Sequence, residues 1–147
     1  MSANRPAWAN RPAWASEYVT YEDIVKSWGW RVANFETFGD YQGDHLALLE
    51  RGPEIGLIVF GYGSCSGCDE LQDITPYPTY DDDEPADWSP VIDFAIRLRD
   101  SVHWEPSRDA LRDWIDGAPQ NHWWSYDDEI SSWLNANLGT TLKVEDY

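Results

Sequence analysis

Residues 55–60 read Ile55-Gly56-Leu57-Ile58-Val59-Phe60, an almost unbroken apolar run, and two more strand-like runs precede it at short distances. His45-Leu46-Ala47-Leu48-Leu49-Glu50 is joined to it by Arg51-Gly52-Pro53-Glu54. Residues 31–38 lead into that run through Gly39-Asp40-Tyr41-Gln42-Gly43-Asp44. A parallel pair needs a crossover of a dozen or more residues, so links this short make the three runs antiparallel neighbours. The expectation is a small three-stranded antiparallel meander, with the apolar third run in a central position.

The rest of the chain reads mainly as helix. Tyr21, Ile24, Val25 and Trp28 fall at i, i+3, i+4 and i+7; Thr20 with Asp23 forms a capping signature, and Gly29 is placed to stop the helix. A second helix is expected with Ser89 as its cap and Pro90 at its first position, and with Val91, Phe94, Ala95, Leu98 and Val102 on its apolar face. Residues 107–116 form a shorter one that turns Leu111, Trp114 and Ile115 inward and stops at Gly117. Ser125 and Asp128 open a last helix through Trp133, Leu134 and Leu138, ended by Gly139. One helix, three strands and then helices make an α+β domain with helices packed on one face of the sheet.

Two segments fall outside this pattern. Residues 4–15 repeat Asn-Arg-Pro-Ala-Trp-Ala twice, and the prolines restrict the backbone to an extended arm over residues 1–15. Arg5, Trp8, Arg11 and Trp14 could lie across a neighbouring subunit and support oligomerisation. The remaining residues, 16–147, read as one domain interrupted by an acidic, proline-rich loop at 73–90.

The chain of 147 residues carries 27 acidic side chains against ten basic ones, a formal charge of −17. A field of that sign repels phosphate backbones and anionic lipid, so direct nucleic-acid binding is excluded. Aromatic residues make up 15%, ten of them Trp, which separates the chain from disordered sequences of similar charge. The Trp residues at 104, 114, 123, 124 and 133 read as core. No apolar run approaches the roughly 20 residues of a membrane helix, and no signal-peptide core follows Met1, so a cytoplasmic protein is expected. The acids are concentrated: ten lie between Arg51 and Arg97 with no base among them, and five more lie from Asp113 to Glu129. Asp81, Asp82, Asp83, Glu84 and Asp87, with Asp127, Asp128 and Glu129, could therefore present a phosphate-like surface to a basic host or phage protein.

Chemistry concentrates in Gly61-Tyr62-Gly63-Ser64-Cys65-Ser66-Gly67-Cys68-Asp69-Glu70-Leu71-Gln72, where the only two cysteines form C-x-x-C between a strand and a short helix. The order resembles thioredoxin-like redox sites. Against that, the acidic loop begins where such a domain needs a full helix and further strands, and Asp69 and Glu70 oppose thiolate formation. A closed zinc site needs two ligands beyond Cys65 and Cys68. His45 and Asp69 are candidates, with His103 and His122, yet no paired-histidine spacing accompanies them. Zinc is thus the one cofactor these residue types suggest, and a metal-binding or thiol-redox protein is the alternative reading. A virion or assembly component that uses the arm is another. No G-x-S-x-G, H-E-x-x-H, P-loop or dinucleotide fingerprint occurs, so no enzyme is expected.

The stretch from Ser27-Trp28-Gly29 through Tyr41-Gln42-Gly43-Asp44 to the glycine-cysteine block resembles small proteins of actinobacteria and their bacteriophages. In these a Y-Q-G-D segment leads into a hairpin and a G-Y-G-S-C-S-G-C-D-x-L-Q block. No activity is assigned to that group, so the resemblance implies a phage or actinobacterial source and a shared turn. The expected role is a small acidic accessory protein that binds a basic partner.

Overall fold

The computed structural model describes residues 12, 19–63, 69–76, 87–117 and 127–144. The chain divides into two compact units: Met1–Gly29 with Cys65–Ser101, and Trp30–Ser64 with Val102–Tyr147. The expected arm, apart from residue 12, and most of the acidic loop lie outside the described residues.

The second unit is built on an antiparallel sheet. Strands β1 (Arg31–Gly39), β2 (Gly43–Arg51) and β3 (Glu54–Tyr62) follow one another across it. The sheet has four strands where the sequence reading had three. The fourth, β4 (His103–Glu105), pairs with β3 through Ile55↔Glu105, Gly56↔Trp104 and Leu57↔His103. Its three residues are too few to show an alternation, which is why the pattern missed it. Gly56 admits this strand: a Cβ there would lie 2.7 Å from Val102 Cγ1 and 2.9 Å from Trp104 Cε3.

Side chains alternate across the sheet, and one face carries Leu46 and Leu48 of β2 with Ile55 and Leu57 of β3. Two helices cover that face, α4 (Arg108–Asp116) through Leu111 and Ile115 and α5 (Asp127–Leu138) through Ile130 and Leu134. This confirms an α+β architecture. Ala47, Leu49 and Ile58 point the other way and are also buried, which is why β2 and β3 read as continuous apolar runs. The core is aliphatic at its centre. Trp114 and Trp133 pack partly buried around it.

Local signals set the helix ends. Ser107 caps α4 by accepting from the Ala110 N–H, and Gly139 follows α5 at φ +73°, a left-handed conformation that suits glycine. Ser125, the expected cap of α5, lies outside the described residues. Beyond α5 the Asn135 amide holds the returning chain: its Oδ1 accepts from the Leu142 N–H and its Nδ2 donates to the Leu142 carbonyl, both at 2.9 Å.

In the first unit α1 (Tyr21–Ser27) opens on the expected capping box, with Thr20 and Asp23 each satisfying the other's backbone N–H. Helix α2 (Glu70–Ile74) is short, and α3 (Ser89–Asp100) contributes buried Val91, Phe94 and Ala95. The cap of α3 is Trp88, one residue before the expected Ser89, because Asp87 accepts from the Ser89 N–H and so does what a cap side chain would do. The helix also ends at Asp100. Val102 is buried in the connection to β4, not on a helix face. No helix among the described residues is long and apolar enough to cross a membrane.

Candidate functional site

Of the four residues expected to share a metal or redox centre, Cys65 and Cys68 lie outside the described residues, and His45 and Asp69 belong to different units. His45 projects from β2 among aromatic rings: Tyr62 stacks on it at 4.5 Å, Phe35 lies at 5.1 Å and Phe60 at 5.4 Å. Its Nδ1 is 2.9 Å from Thr37 Oγ1. Asp69 is buried as the cap of α2, where its Oδ1 accepts from the Gln72 N–H at 2.9 Å and the Tyr21 hydroxyl at 2.8 Å. Burial, and then the bond to that carboxylate, push the Tyr21 phenol well above its usual range. Both side chains have structural work to do. Among the described residues no group of three His, Cys, Asp or Glu side chains could hold a metal ion.

The acidic candidates are also dispersed. Asp81, Asp82, Asp83 and Glu84 lie outside the described residues, as do Arg5, Trp8, Arg11 and Trp14 of the arm. Asp87 is exposed in the first unit, and its hydrogen bonds from the Ser89 backbone, then from the Ser89 hydroxyl, hold its carboxyl below the usual range. Asp127 begins α5 in the second unit, followed by half-buried Asp128 and exposed Glu129.

One of these residues joins a concave site. Gly39 and Gly43 pair across the ends of β1 and β2, leaving a three-residue loop of Asp40, Tyr41 and Gln42. The turn is so tight that a Cβ on Gly43 would sit 1.9 Å from the Phe38 carbonyl oxygen, and the three loop residues are exposed. Residues 37–42 and Glu129 of α5 line an open cleft of about 780 Å³. Tyr41 on its rim is 82% exposed, the most exposed of the large hydrophobic residues among those described. Below the loop the Tyr62 hydroxyl donates to the Phe38 carbonyl at 2.9 Å, and together with the His45 ring stack this gives the hairpin a stiff base.

Sequence reasoning placed Glu129 on a binding face but read Asp40, Tyr41 and Gln42 only as a turn. The available signal was Tyr41 itself, a large aromatic in a short loop where Gly, Asn, Asp or Ser is usual.

The charges around the cleft differ from those elsewhere. Every arginine among the described residues is spent on a carboxylate. Arg31 and Arg108 reach Glu50, Arg51 reaches Glu54, Arg97 reaches Glu70, Arg99 reaches Asp100, and Arg112 reaches both Asp109 and Asp113. Asp40 and Glu129 have no such cation among the described residues. The Asp40 carboxylate and exposed Tyr41 ring of the loop and the Glu129 carboxylate of α5 line the same cleft. No family model, curated protein or solved structure matches the chain, so its function has to be read from these residues.

Proposed function

We propose that this is a small acidic interaction protein, a phage or actinobacterial accessory, whose hairpin cleft and neighbouring acids receive a basic protein partner. The observation that carries this reading is the distribution of cations. The described arginines are all neutralised within the chain, while the carboxylates of Asp40 and Glu129 line a cleft with no arginine or lysine among its described residues. A formal charge of −17 steers a basic partner toward such a surface and speeds encounter. A partner whose own groove binds nucleic acid presents the matching charge. By occupying that groove the protein inhibits it, standing in for the phosphate backbone.

Titration with a basic probe tests this. A hexalysine peptide should bind the full chain at about 50 mM salt and lose roughly tenfold in affinity by about 200 mM, since contacts between exposed charges are screened over that range. Replacing both carboxylates, Asp40→Asn with Glu129→Gln, should weaken binding about fivefold at the lower salt. Affinity unchanged by salt, or unchanged in the double variant, would remove the cleft from the account.

A further inference from the structure

Resting on the reading that the protein receives a basic partner, we infer that an extended segment of that partner hydrogen-bonds along β1 and enters the sheet as a further strand. The strands run in the order β1-β2-β3-β4, so β1 stands at a margin of the sheet. In an antiparallel pair every second residue turns its N–H and C=O toward the neighbouring strand, and the residues between turn theirs the other way. Along β1 the first set is used by β2, and among the described residues the second set meets no strand. Burial agrees with this. Leu46, Ala47, Leu48 and Leu49 of β2 are fully buried, whereas none of the nine residues of β1 is buried.

Proteins blunt open edges with short strands, proline, lysine or a bulge. At the other margin β4 has only three residues, but β1 has nine, with no proline or lysine among them. Its register shift, between Val32 and Asn34, interrupts only the Arg31 end. Residues 34–39 keep a regular register with β2 and carry Phe35, Thr37 and Phe38, side chains that suit a strand. Thr37, Phe38 and Gly39 also line the cleft, so a strand laid along this half of β1 runs into the surface assigned to the partner.

A second copy of the chain could also fill such an edge, and charge decides against it. Two chains of −17 repel each other, while a basic segment is attracted. The segment that fits alternates basic and β-branched residues. A cation opposite Glu36 shares that carboxylate's face of the sheet, and the apolar residues between lie on the face of Phe35 and Thr37.

An octapeptide of alternating Lys and Val, capped at both ends, is the probe. Its control is the same peptide N-methylated at every residue, equal in charge but without N–H donors. In calorimetric titrations of the full chain at about 0.15 M salt the first should bind about tenfold tighter, since only it can extend the hydrogen-bond ladder. Amide hydrogen exchange gives a second readout. In the free chain protection should alternate along residues 34–39, and the unprotected set should slow about tenfold once the alternating peptide is bound. Equal affinity for the two peptides overturns strand addition and leaves the basic-partner reading in place, because charge then accounts for the binding. Uniform protection of residues 34–39 before any peptide is added also overturns it, because the edge is then already filled, by this chain or by a second copy. If neither peptide binds even at about 50 mM salt, the basic-partner reading itself fails.

Discussion

The two ends of the sheet use the same materials to opposite effect. At the β2–β3 end, Arg51 lies over Trp104 and pairs with Glu54, while Glu50 takes Arg31 at 2.8 Å and Arg108 at 3.5 Å. Aromatic rings, guanidiniums and carboxylates satisfy one another there. At the β1–β2 end, roughly 27 Å away along nine-residue strands, a ring and two carboxylates line a cleft with no guanidinium among its described residues. An acidic residue therefore means different things in different places. Glu50 and Glu54 are parts of the fold, whereas Asp40 and Glu129 pair with no cation among the described residues, and the proposed function assigns them to a partner.

Both turns depend on glycine, for different reasons, and the largest expected effect comes from breaking the acidic end. Gly43→Ala drives a methyl into the Phe38 backbone, which cannot move aside, and should cost about 3 kcal/mol or more by chemical denaturation. It should also abolish peptide binding, because the loop can no longer close. Gly52 in the opposite turn has φ +60° and nothing near its missing Cβ, so Gly52→Ala costs only left-handed strain, about 1 kcal/mol, and should leave binding intact.

Between those two in size lies a carboxylate the fold does use. Tyr21→Phe removes the hydroxyl that buried Asp69 accepts and should cost about 2 kcal/mol. The same pair has a pH signature. The phenol titrates higher in the folded state than in the unfolded chain, where its pKa is ~10. The bond's contribution is therefore fully present below pH ~10 and is lost as pH rises through the folded value. Alkaline melting curves should show this loss in the natural chain and not in Tyr21→Phe.

The smallest effects sharpen the comparison most. Glu50→Gln leaves Arg31 and Arg108 without their shared partner and should cost about 0.5 kcal/mol, a small figure because both arginines are largely exposed. Glu129→Gln breaks no ion pair among the described residues, and the helix-dipole attraction it gives up in the first turn of α5 is offset by relief of repulsion in a strongly acidic molecule, so stability should stay within a few tenths of a kcal/mol. If Glu129→Gln were the more damaging of the two, the distinction between the ends would be lost.

The sheet was legible because the apolar runs and their short links leave few pairings, and α1 was legible because Thr20 and Asp23 carry their own capping chemistry. β4 was not legible at three residues. The start of α3 was misplaced because Asp87, outside the helix, does the work assigned to Ser89. The cleft could not be read at all: it exists only because packing on Leu46, Leu48 and their neighbours brings α5, with Glu129, beside a loop far away along the chain. His45 and Asp69, chosen by residue type, take part in an aromatic stack and a helix cap, roles that residue type alone does not reveal.

Amide chemical-shift mapping of the full chain during hexalysine titration tests the division between the two ends most directly. The account predicts saturable shifts at residues 37–42 and around Glu129, with Arg31, Glu50, Arg51 and Glu54 unmoved. Shifts centred on the β2–β3 end, or spread evenly over every acidic surface, would contradict it.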